Sequence, residues 1–112
     1  MDCLFCKIAA GDIPSKKVYE DDMCLAFYDI APQAPVHVLV IPKIHIPSVD
    51  GVDESNIKYI SRIFEKIPVI ADTLGLRSGY RVVSNCGPDA AQSVSHLHFH
   101  ILGGKQLSEE FA

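Results

Sequence analysis

The sequence has no long apolar run, no low-complexity segment, no internal repeat and no excess of positive charge. Ten Lys and Arg stand against fourteen Asp and Glu, and the net charge of −4 has the wrong sign for a protein that coats a nucleic-acid backbone. No segment reaches the length of a membrane span, and the chain does not begin with a basic stretch followed by an apolar run. We therefore expect a cytoplasmic protein with no nucleic-acid partner and no membrane partner. A small anionic ligand could still bind through local donors.

The length of the chain allows one domain. Its 112 residues can enclose a single hydrophobic core and are too few for two ordinary domains. An apolar share of 48% with 21% charged residues is typical of a globular protein. We predict one domain over residues 1–112.

The apolar pattern predicts two helices and five strands. A short helix is expected over residues 4–10, and a longer one over 53–74 follows apolar steps of three and four, with a kink or break near 64–67 caused by Pro68. Strands are expected over residues 18–20, 24–28, 36–41, 80–84 and 94–102. Hairpins with one inserted helix predict an α+β fold built on a five-stranded antiparallel sheet, and its open edges favour a dimer.

Three histidines alternate with apolar residues in the last predicted strand. His96, His98 and His100 should share one face of that strand, because side chains on a strand alternate between its two faces. A core does not require histidine at every second position, so an exposed or hydrogen-bonded histidine stripe is the less favoured interpretation. A zinc hydrolase with three histidine ligands is a second interpretation, but three such residues spread over roughly 13 Å and cannot all reach one ion.

A third interpretation divides the work among the three histidines. A neutral imidazole can attack an α-phosphate and form a phosphoimidazole that water then opens. The nucleophile needs an acceptor at its other ring nitrogen, so that the attacking nitrogen is unprotonated. A neighbouring backbone carbonyl can be that acceptor.

The four cysteines do not suggest a disulfide. Cys3 and Cys6 have the two-residue gap that lets two thiolates bind one metal ion, and a metal is more plausible than a disulfide in a reducing compartment. Two ligands alone are a weak signal, and two histidines from elsewhere would be needed. Cys24 is expected to be a small core residue, and no role is assigned to Cys86.

Residues 92–104, Gln-Ser-Val-Ser-His-Leu-His-Phe-His-Ile-Leu-Gly-Gly, resemble the signature of the histidine-triad superfamily. Further segments resemble its histidine-triad nucleotide-binding (HINT) branch. These segments are Phe-Cys-Lys-Ile at 5–8, Ile-Pro-Ser at 13–15, Ala-Phe-Tyr-Asp-Ile at 26–30, Pro-Gln-Ala-Pro at 32–35, His-Val-Leu-Val-Ile-Pro-Lys at 37–43 and Gly-Tyr-Arg-Val-Val at 79–83. The resemblance covers almost the whole chain.

The resemblance implies a homodimer in which two five-stranded sheets join into one ten-stranded sheet. It also implies an enzyme that cleaves nucleoside 5′-phosphoramidates, with a purine nucleotide of the AMP type as substrate. His98 matches the nucleophile that forms the nucleotidyl intermediate, and His100 matches the residue that contacts phosphate oxygens. The carbonyl of His96 matches the acceptor that orients His98, and His37 matches a supporting member of the histidine network.

Substrate contacts are implied in the same way. Ser93 and Gln92 match the loop that meets the phosphate, with Ser93 near the leaving group, and Asn85 matches another polar contact there. Asp29 matches the carboxylate that holds the ribose hydroxyls. The apolar slot for the base is matched by Phe5, Ile13, Ile30 and Leu39.

Many bacterial members of the superfamily carry such a cysteine pair, and the resemblance to them implies a structural zinc ion. The four matching positions here are Cys3, Cys6, His45 and His96. Buried reduced thiols, or cysteines left after loss of the metal, are the alternatives.

Two other functions stay open at this point. A dinucleoside polyphosphate hydrolase would use the same His98 and hold a second nucleotide. A nucleotide-binding interaction module would depend on its partners, with little need for hydrolysis. The chain ends Ser-Glu-Glu-Phe-Ala at 108–112, where the best-known animal members have Trp-Pro-Pro, so selection of the leaving group is not predicted.

Overall fold

The computed structural model describes residues 3–111, and in this range five strands form one antiparallel sheet with an α-helix on each face. The predicted fold class is therefore confirmed. The elements are helix α1 (Leu4–Ala9), strands β1 (Lys17–Glu20), β2 (Cys24–Tyr28) and β3 (Val36–Pro42), helix α2 (Ile57–Thr73), and strands β4 (Tyr80–Val83) and β5 (Phe99–Gly103). Short 3₁₀ turns lie at Val49–Gly51 and Pro88–Ala90.

Strand β3 is the centre of the sheet, whose strand order is β1-β2-β3-β5-β4. Its side chains alternate between two apolar layers, which explains why residues 36–41 are apolar almost throughout. Val38 and Val40 pack in the layer under α2, whereas Leu39 and Ile41 pack in the layer under α1. A central strand that is buried on both sides gives the sheet one register, because a shift of one residue would exchange the two layers.

The two helices cover opposite faces of the sheet. From α2, Ile63, Ile67 and Ile70 enter the larger core, and from α1, Phe5 and Ile8 enter the smaller one. The predicted core role of Cys24 is confirmed, since its side chain is buried in the α2 layer and burial raises the pKa of its thiol to about 12.

Helix α2 is shorter than predicted at its start and is not broken at Pro68. Asp53 precedes the helix in a tight turn, where its Oδ1 accepts hydrogen bonds from both the backbone N–H and the hydroxyl of Ser55, at 2.8 and 2.6 Å. Because of that turn, the helix begins only at Ile57. The predicted break near 64–67 is wrong, because Pro68 lies on the exposed side of a continuous helix. There the backbone bond that proline cannot make is open to water.

The prediction of a strand over 94–102 is also wrong in its first half, since β5 begins at Phe99. The backbone before it bonds to other groups: Leu97 N donates to the carbonyl of Ile46 at 2.6 Å, and the Ser84 hydroxyl donates to the carbonyl of His98 at 2.9 Å. The segment is nevertheless extended enough for successive side chains to point to opposite sides of the sheet. Leu97 is buried in the α2 layer while His98 lies on the opposite side.

Across residues 3–111, no helix combines the length and the apolarity that a membrane crossing requires.

Candidate active site and metal centre

A pocket of about 640 Å³ lies on the α1 side of the sheet. Its wall combines apolar side chains with two imidazoles, one carboxylate, one ammonium group and three hydroxyls. Seven of the predicted site residues line it: Phe5, Asp29, Ile30, Leu39, Ser93, His98 and His100. The structure therefore brings together residues from α1, the loop after β2, β3, β5 and the segment before β5.

His98 is held by its own backbone segment. Its Nδ1 lies 2.7 Å from the carbonyl oxygen of His96. A carbonyl can only accept, so Nδ1 of His98 carries a proton, and in the neutral ring Nε2 is the nitrogen that keeps its lone pair. The ring is 4% exposed and meets the Phe5 ring edge to face, with centroids 5.2 Å apart. The pocket thus holds an imidazole whose orientation and tautomer are set by the backbone.

His100 is the end of a chain of hydrogen bonds. Its Nδ1 lies 2.8 Å from Nε2 of His37, and Nδ1 of His37 accepts from the backbone N–H of Gln33 at 2.9 Å. Burial, together with the neighbouring His98 and His37, lowers the pKa of His100 to about 4. Burial also lowers the pKa of His37, although Asp29 opposes this effect. Both rings are therefore neutral at pH 7.

Asp29 lies at the start of the loop between β2 and β3. Its Oδ1 accepts from the backbone N–H of Ala31 at 2.8 Å, and its Oδ2 lies 3.4 Å from Nε2 of His37. The side chain is 18% exposed and lines the pocket, so the carboxylate can still accept hydrogen bonds from a ligand. A pair of ligand hydroxyls suits an acceptor of this kind.

The amide of Gln92, a predicted phosphate contact, is engaged inside its own loop. Its Oε1 accepts from the N–H of Gly87 at 2.9 Å, and its Nε2 donates to the carbonyls of Pro47 and Val94 at 2.8 and 2.9 Å. The side chain therefore ties the loop between β4 and β5 to the segment after β3. It is not among the residues that line the pocket.

Three more predicted residues also lie outside the pocket wall. The Asn85 amide donates to the carbonyl of Ala90 at 2.8 Å and braces the same loop as Gln92. Ile13 packs against the α1-side core, and His37 lies behind His100.

Other lining residues were missed by sequence reasoning. Phe27 lies in the pocket wall two residues before Asp29. The alternation of β2 could have placed both on one face. Lys16 also lines the pocket and lies 5.2 Å from the centre of the Tyr28 ring, and nothing in its local sequence singles it out.

The four predicted metal ligands converge at one point beside the pocket. The nearest ligand atoms of Cys3, Cys6, His45 and His96 all lie within 4.8 Å of one another. Cys3 Sγ is 3.3 Å and Cys6 Sγ is 3.4 Å from Nδ1 of His96, and Cys6 Sγ is 3.3 Å from Nδ1 of His45. Two ligands of one tetrahedral zinc ion lie about 3.5 Å apart when one is sulfur and the other nitrogen. The donor set and its spacing therefore fit zinc.

The orientation of His96 also fits a metal ligand. Its Nε2 lies 3.1 Å from the carbonyl of Pro42, which can only accept, so Nε2 carries the proton. Nδ1 is then unprotonated and faces the two cysteines. A backbone carbonyl that fixes the tautomer of a ligand histidine is a common feature of zinc sites.

Residues 10–107 match the family model of the HIT domain. A histidine triad protein from Clostridium difficile is 50% identical with a TM-score of 0.94, and the match covers 98% of this chain and 96% of that one. A HIT family hydrolase from Clostridium thermocellum is 44% identical with a TM-score of 0.95, over 99% and 97% of the two chains. A 14 kDa zinc-binding protein of Brassica juncea is 43% identical over 109 residues, 96% of each chain. The chain belongs to the HIT, or histidine-triad, family, which confirms the resemblance seen in its sequence.

If Gln92 acts as a brace, its removal should lower stability. Gln92→Ala deletes three hydrogen bonds, so we expect the free energy of unfolding in urea to fall by about 1–3 kcal/mol. Gln106→Ala, at an exposed position, is the control and should change it by less than about 0.5 kcal/mol. Unchanged stability of Gln92→Ala together with a weakened affinity for nucleotide would favour the phosphate contact instead.

Proposed function

We propose that the protein hydrolyses nucleoside 5′-phosphoramidates through a covalent nucleotidyl intermediate on His98. The observation that carries the proposal is the 2.7 Å contact between Nδ1 of His98 and the His96 carbonyl, which makes Nε2 the lone-pair nitrogen of the neutral ring inside a pocket. An oriented, neutral imidazole is an effective nucleophile at neutral pH. The Clostridium thermocellum relative, named a hydrolase, supports a hydrolase in this family.

The pocket wall suits a purine nucleoside. Phe5 and Leu39 form a buried apolar surface against which a base can pack, and Ile30 is fully exposed at the rim. Asp29 is proposed to accept hydrogen bonds from the ribose hydroxyls. Because the carboxylate, His100 and His98 line one pocket, a nucleoside bound this way would place its 5′-phosphate towards the histidines.

In the first step, the lone pair of His98 Nε2 attacks the α-phosphorus, and a P–N bond to the imidazole forms. The P–N bond to the leaving amine breaks, and the amine leaves with the electron pair of that bond and takes up one proton from solvent water, so that it departs as a neutral molecule. Ser93, whose side chain belongs to the pocket wall, is proposed to hydrogen-bond to the leaving amine. His100 is proposed to hydrogen-bond to a phosphate oxygen and stabilise the charge that builds up there.

In the second step, a water molecule attacks the same phosphorus atom. The bond between phosphorus and Nε2 of His98 breaks, and the imidazole leaves with its electron pair. The water gives up one proton to the solvent as the nucleoside monophosphate is released, which balances the proton taken up by the amine in the first step, and His98 returns to its starting form. The His96 carbonyl keeps its hydrogen bond to Nδ1 of His98 in both steps and stabilises the positive charge on the imidazole while phosphorus is attached.

We further propose that Cys3, Cys6, His45 and His96 hold a structural zinc ion. Bound there, zinc supplies cross-links between chain segments and takes no part in the phosphoryl chemistry. The four residues come from α1, its N-terminal cap, the segment after β3 and the segment before β5. The name of the Brassica juncea relative, a zinc-binding protein, supports this choice of metal.

The covalent mechanism predicts that His98→Ala loses almost all turnover of an adenosine phosphoramidate. Without the nucleophile, kcat should fall by a factor on the order of 10³ or more. A purified sample that retains about one zinc per chain and the parent's circular dichroism spectrum would show that the variant is folded. An unchanged kcat would exclude His98 as the nucleophile.

The metal site predicts that Cys6→Ser binds less zinc and is less stable. We expect the bound zinc to fall well below one per chain and the melting temperature to fall by roughly 5 °C or more, because α1 loses its attachment. Cys86→Ser is the matched control, since Cys86 is a free cysteine outside the cluster and should keep the full metal content. Parent protein purified without chelator that contains no zinc would contradict the proposal.

We also propose the homodimer and the cytoplasmic location implied by the family. Strand β4 lies at an edge of the sheet and exposes Tyr80 and Val82, which are 38% and 37% accessible. A second copy that added its own β4 would satisfy the free backbone groups of this edge.

The dimer predicts a mass of twice the chain's 12.3 kDa in light scattering. Val82→Lys puts a charge on the β4 edge and should shift the protein towards monomer at micromolar concentration. Val49→Lys, also at an exposed valine but outside the sheet, is the control and should stay dimeric. Monomeric parent protein would exclude the dimer.

A further inference from the structure

The hydrogen-bond chain behind His100 begins at a backbone group. The N–H of Gln33, in the loop between β2 and β3, points at Nδ1 of His37 over 2.9 Å. A backbone N–H can only donate, so Nδ1 of His37 must accept and cannot carry a proton. A neutral His37 then carries its single proton on Nε2.

The same reasoning extends to the next ring. Nε2 of His37 lies 2.8 Å from Nδ1 of His100 and 3.4 Å from Oδ2 of Asp29. The shorter contact is the stronger hydrogen bond, and it requires Nδ1 of His100 to accept. A neutral His100 therefore carries its proton on Nε2, the nitrogen opposite the His37 contact.

The hydrogen-bond chain favours the neutral forms of His37 and His100. A doubly protonated His37 would set an N–H at Nδ1 against the N–H of Gln33, two donors 2.9 Å apart. Burial lowers the pKa of both His37 and His100 and therefore also favours their neutral forms.

The two histidines of the pocket therefore end up as opposite tautomers. His98 is protonated at Nδ1 because it faces the His96 carbonyl, whereas His100 is protonated at Nε2 because its Nδ1 faces His37. In the described part of the chain, no protein group bonds to Nε2 of either ring. One pocket imidazole thus offers a lone pair and the other an N–H.

We propose that the backbone amide of Gln33 is a positioning group, which fixes the tautomers of His37 and His100 so that only His98 can attack. Its catalytic consequence rests on the proposed phosphoramidate hydrolysis. His100 is then an uncharged hydrogen-bond donor to phosphate and cannot compete as a nucleophile.

The loop is built to hold this N–H in place. Gln33 lies between Pro32 and Pro35, and the carboxylate of Asp29 accepts from the N–H of Ala31 at 2.8 Å. The Asp29 N–H donates to the carbonyl of His37 at 3.0 Å, which closes the loop around the histidine. Pro32 and Pro35 each fix one φ angle in this loop, on either side of Gln33.

The direct test is long-range ¹H–¹⁵N NMR of the histidine rings in uniformly ¹⁵N-labelled, zinc-loaded protein at pH 7, without substrate. His37 and His100 should show the pattern of a proton on Nε2, and His98 that of a proton on Nδ1. Protonation of Nδ1 in either His37 or His100 would overturn the proposal. This measurement needs no activity, so a protein inactive on phosphoramidates with the expected tautomers would refute the proposed function alone.

A substitution pair tests the source of the effect. Gln33→Pro deletes the N–H, and Gln33→Ala keeps it while removing the side chain. We expect Gln33→Ala to keep the tautomers of the parent, and Gln33→Pro to show mixed tautomers at His37 and His100.

Kinetics of the same pair separate positioning from a structural role. We expect kcat of Gln33→Pro on an adenosine phosphoramidate to fall by about tenfold or more, with KM changed by less than about threefold, since donor orientation acts in the transition state. A folded Gln33→Pro variant that keeps single tautomers at both histidines would overturn the role of the amide. If that variant does not fold, the spectrum of the parent protein decides.

Discussion

The rest of the site depends on the placement of His96. Its ring is fully buried, its Nε2 donates to the Pro42 carbonyl over 3.1 Å, and its Nδ1 faces the thiols of Cys3 and Cys6. Its carbonyl oxygen accepts from Nδ1 of His98 over 2.7 Å. One residue therefore joins the proposed metal site to the pocket, so a change at Cys3 or Cys6 would also disturb the position of the His98 ring.

The proposed metal ligands Cys3 and Cys6 also set the wall of the pocket. Cys3 and Cys6 belong to the first turn of α1, where Cys3 Sγ accepts from the backbone N–H of Cys6 over 3.3 Å. Phe5 lies between them in sequence and packs against the rings of both His96 and His98. A helix of six residues is too short to be stable by itself, so its attachment to the sheet is what keeps Phe5 in the pocket.

The central strand β3 brings the second histidine pair together. His37 pairs in register with Leu102, and Leu39 pairs with His100, so His37 and His100 are diagonal neighbours across antiparallel strands. This register is maintained by Val38 and Val40 under α2 and Leu39 under α1. The packing of the two apolar layers thus sets the distance between the imidazoles of His37 and His100.

Local pattern in the sequence was sufficient for the strands β2 and β3, for the existence of both helices, and for the common side of His96, His98 and His100. It failed at the start of β5, because the carbonyls of Ile46 and His98 bond outside the regular ladder. The local motifs were also sufficient for the family resemblance, which grouped Cys3 and Cys6 with His45 and His96 as metal ligands. It did not predict Gln92 and Asn85 as loop braces, because their partners are set by the folded loop.

The sequence by itself determined the fold class, the family and the residue types of the site, because alternation, cysteine spacing and the triad motif are local properties of the chain. Only the tertiary structure brought together the groups that select the tautomers of His37 and His100. A tautomer depends on the partner that faces each ring nitrogen. For His100 that partner is His37, 63 positions away in the chain and held in turn by the Gln33 amide.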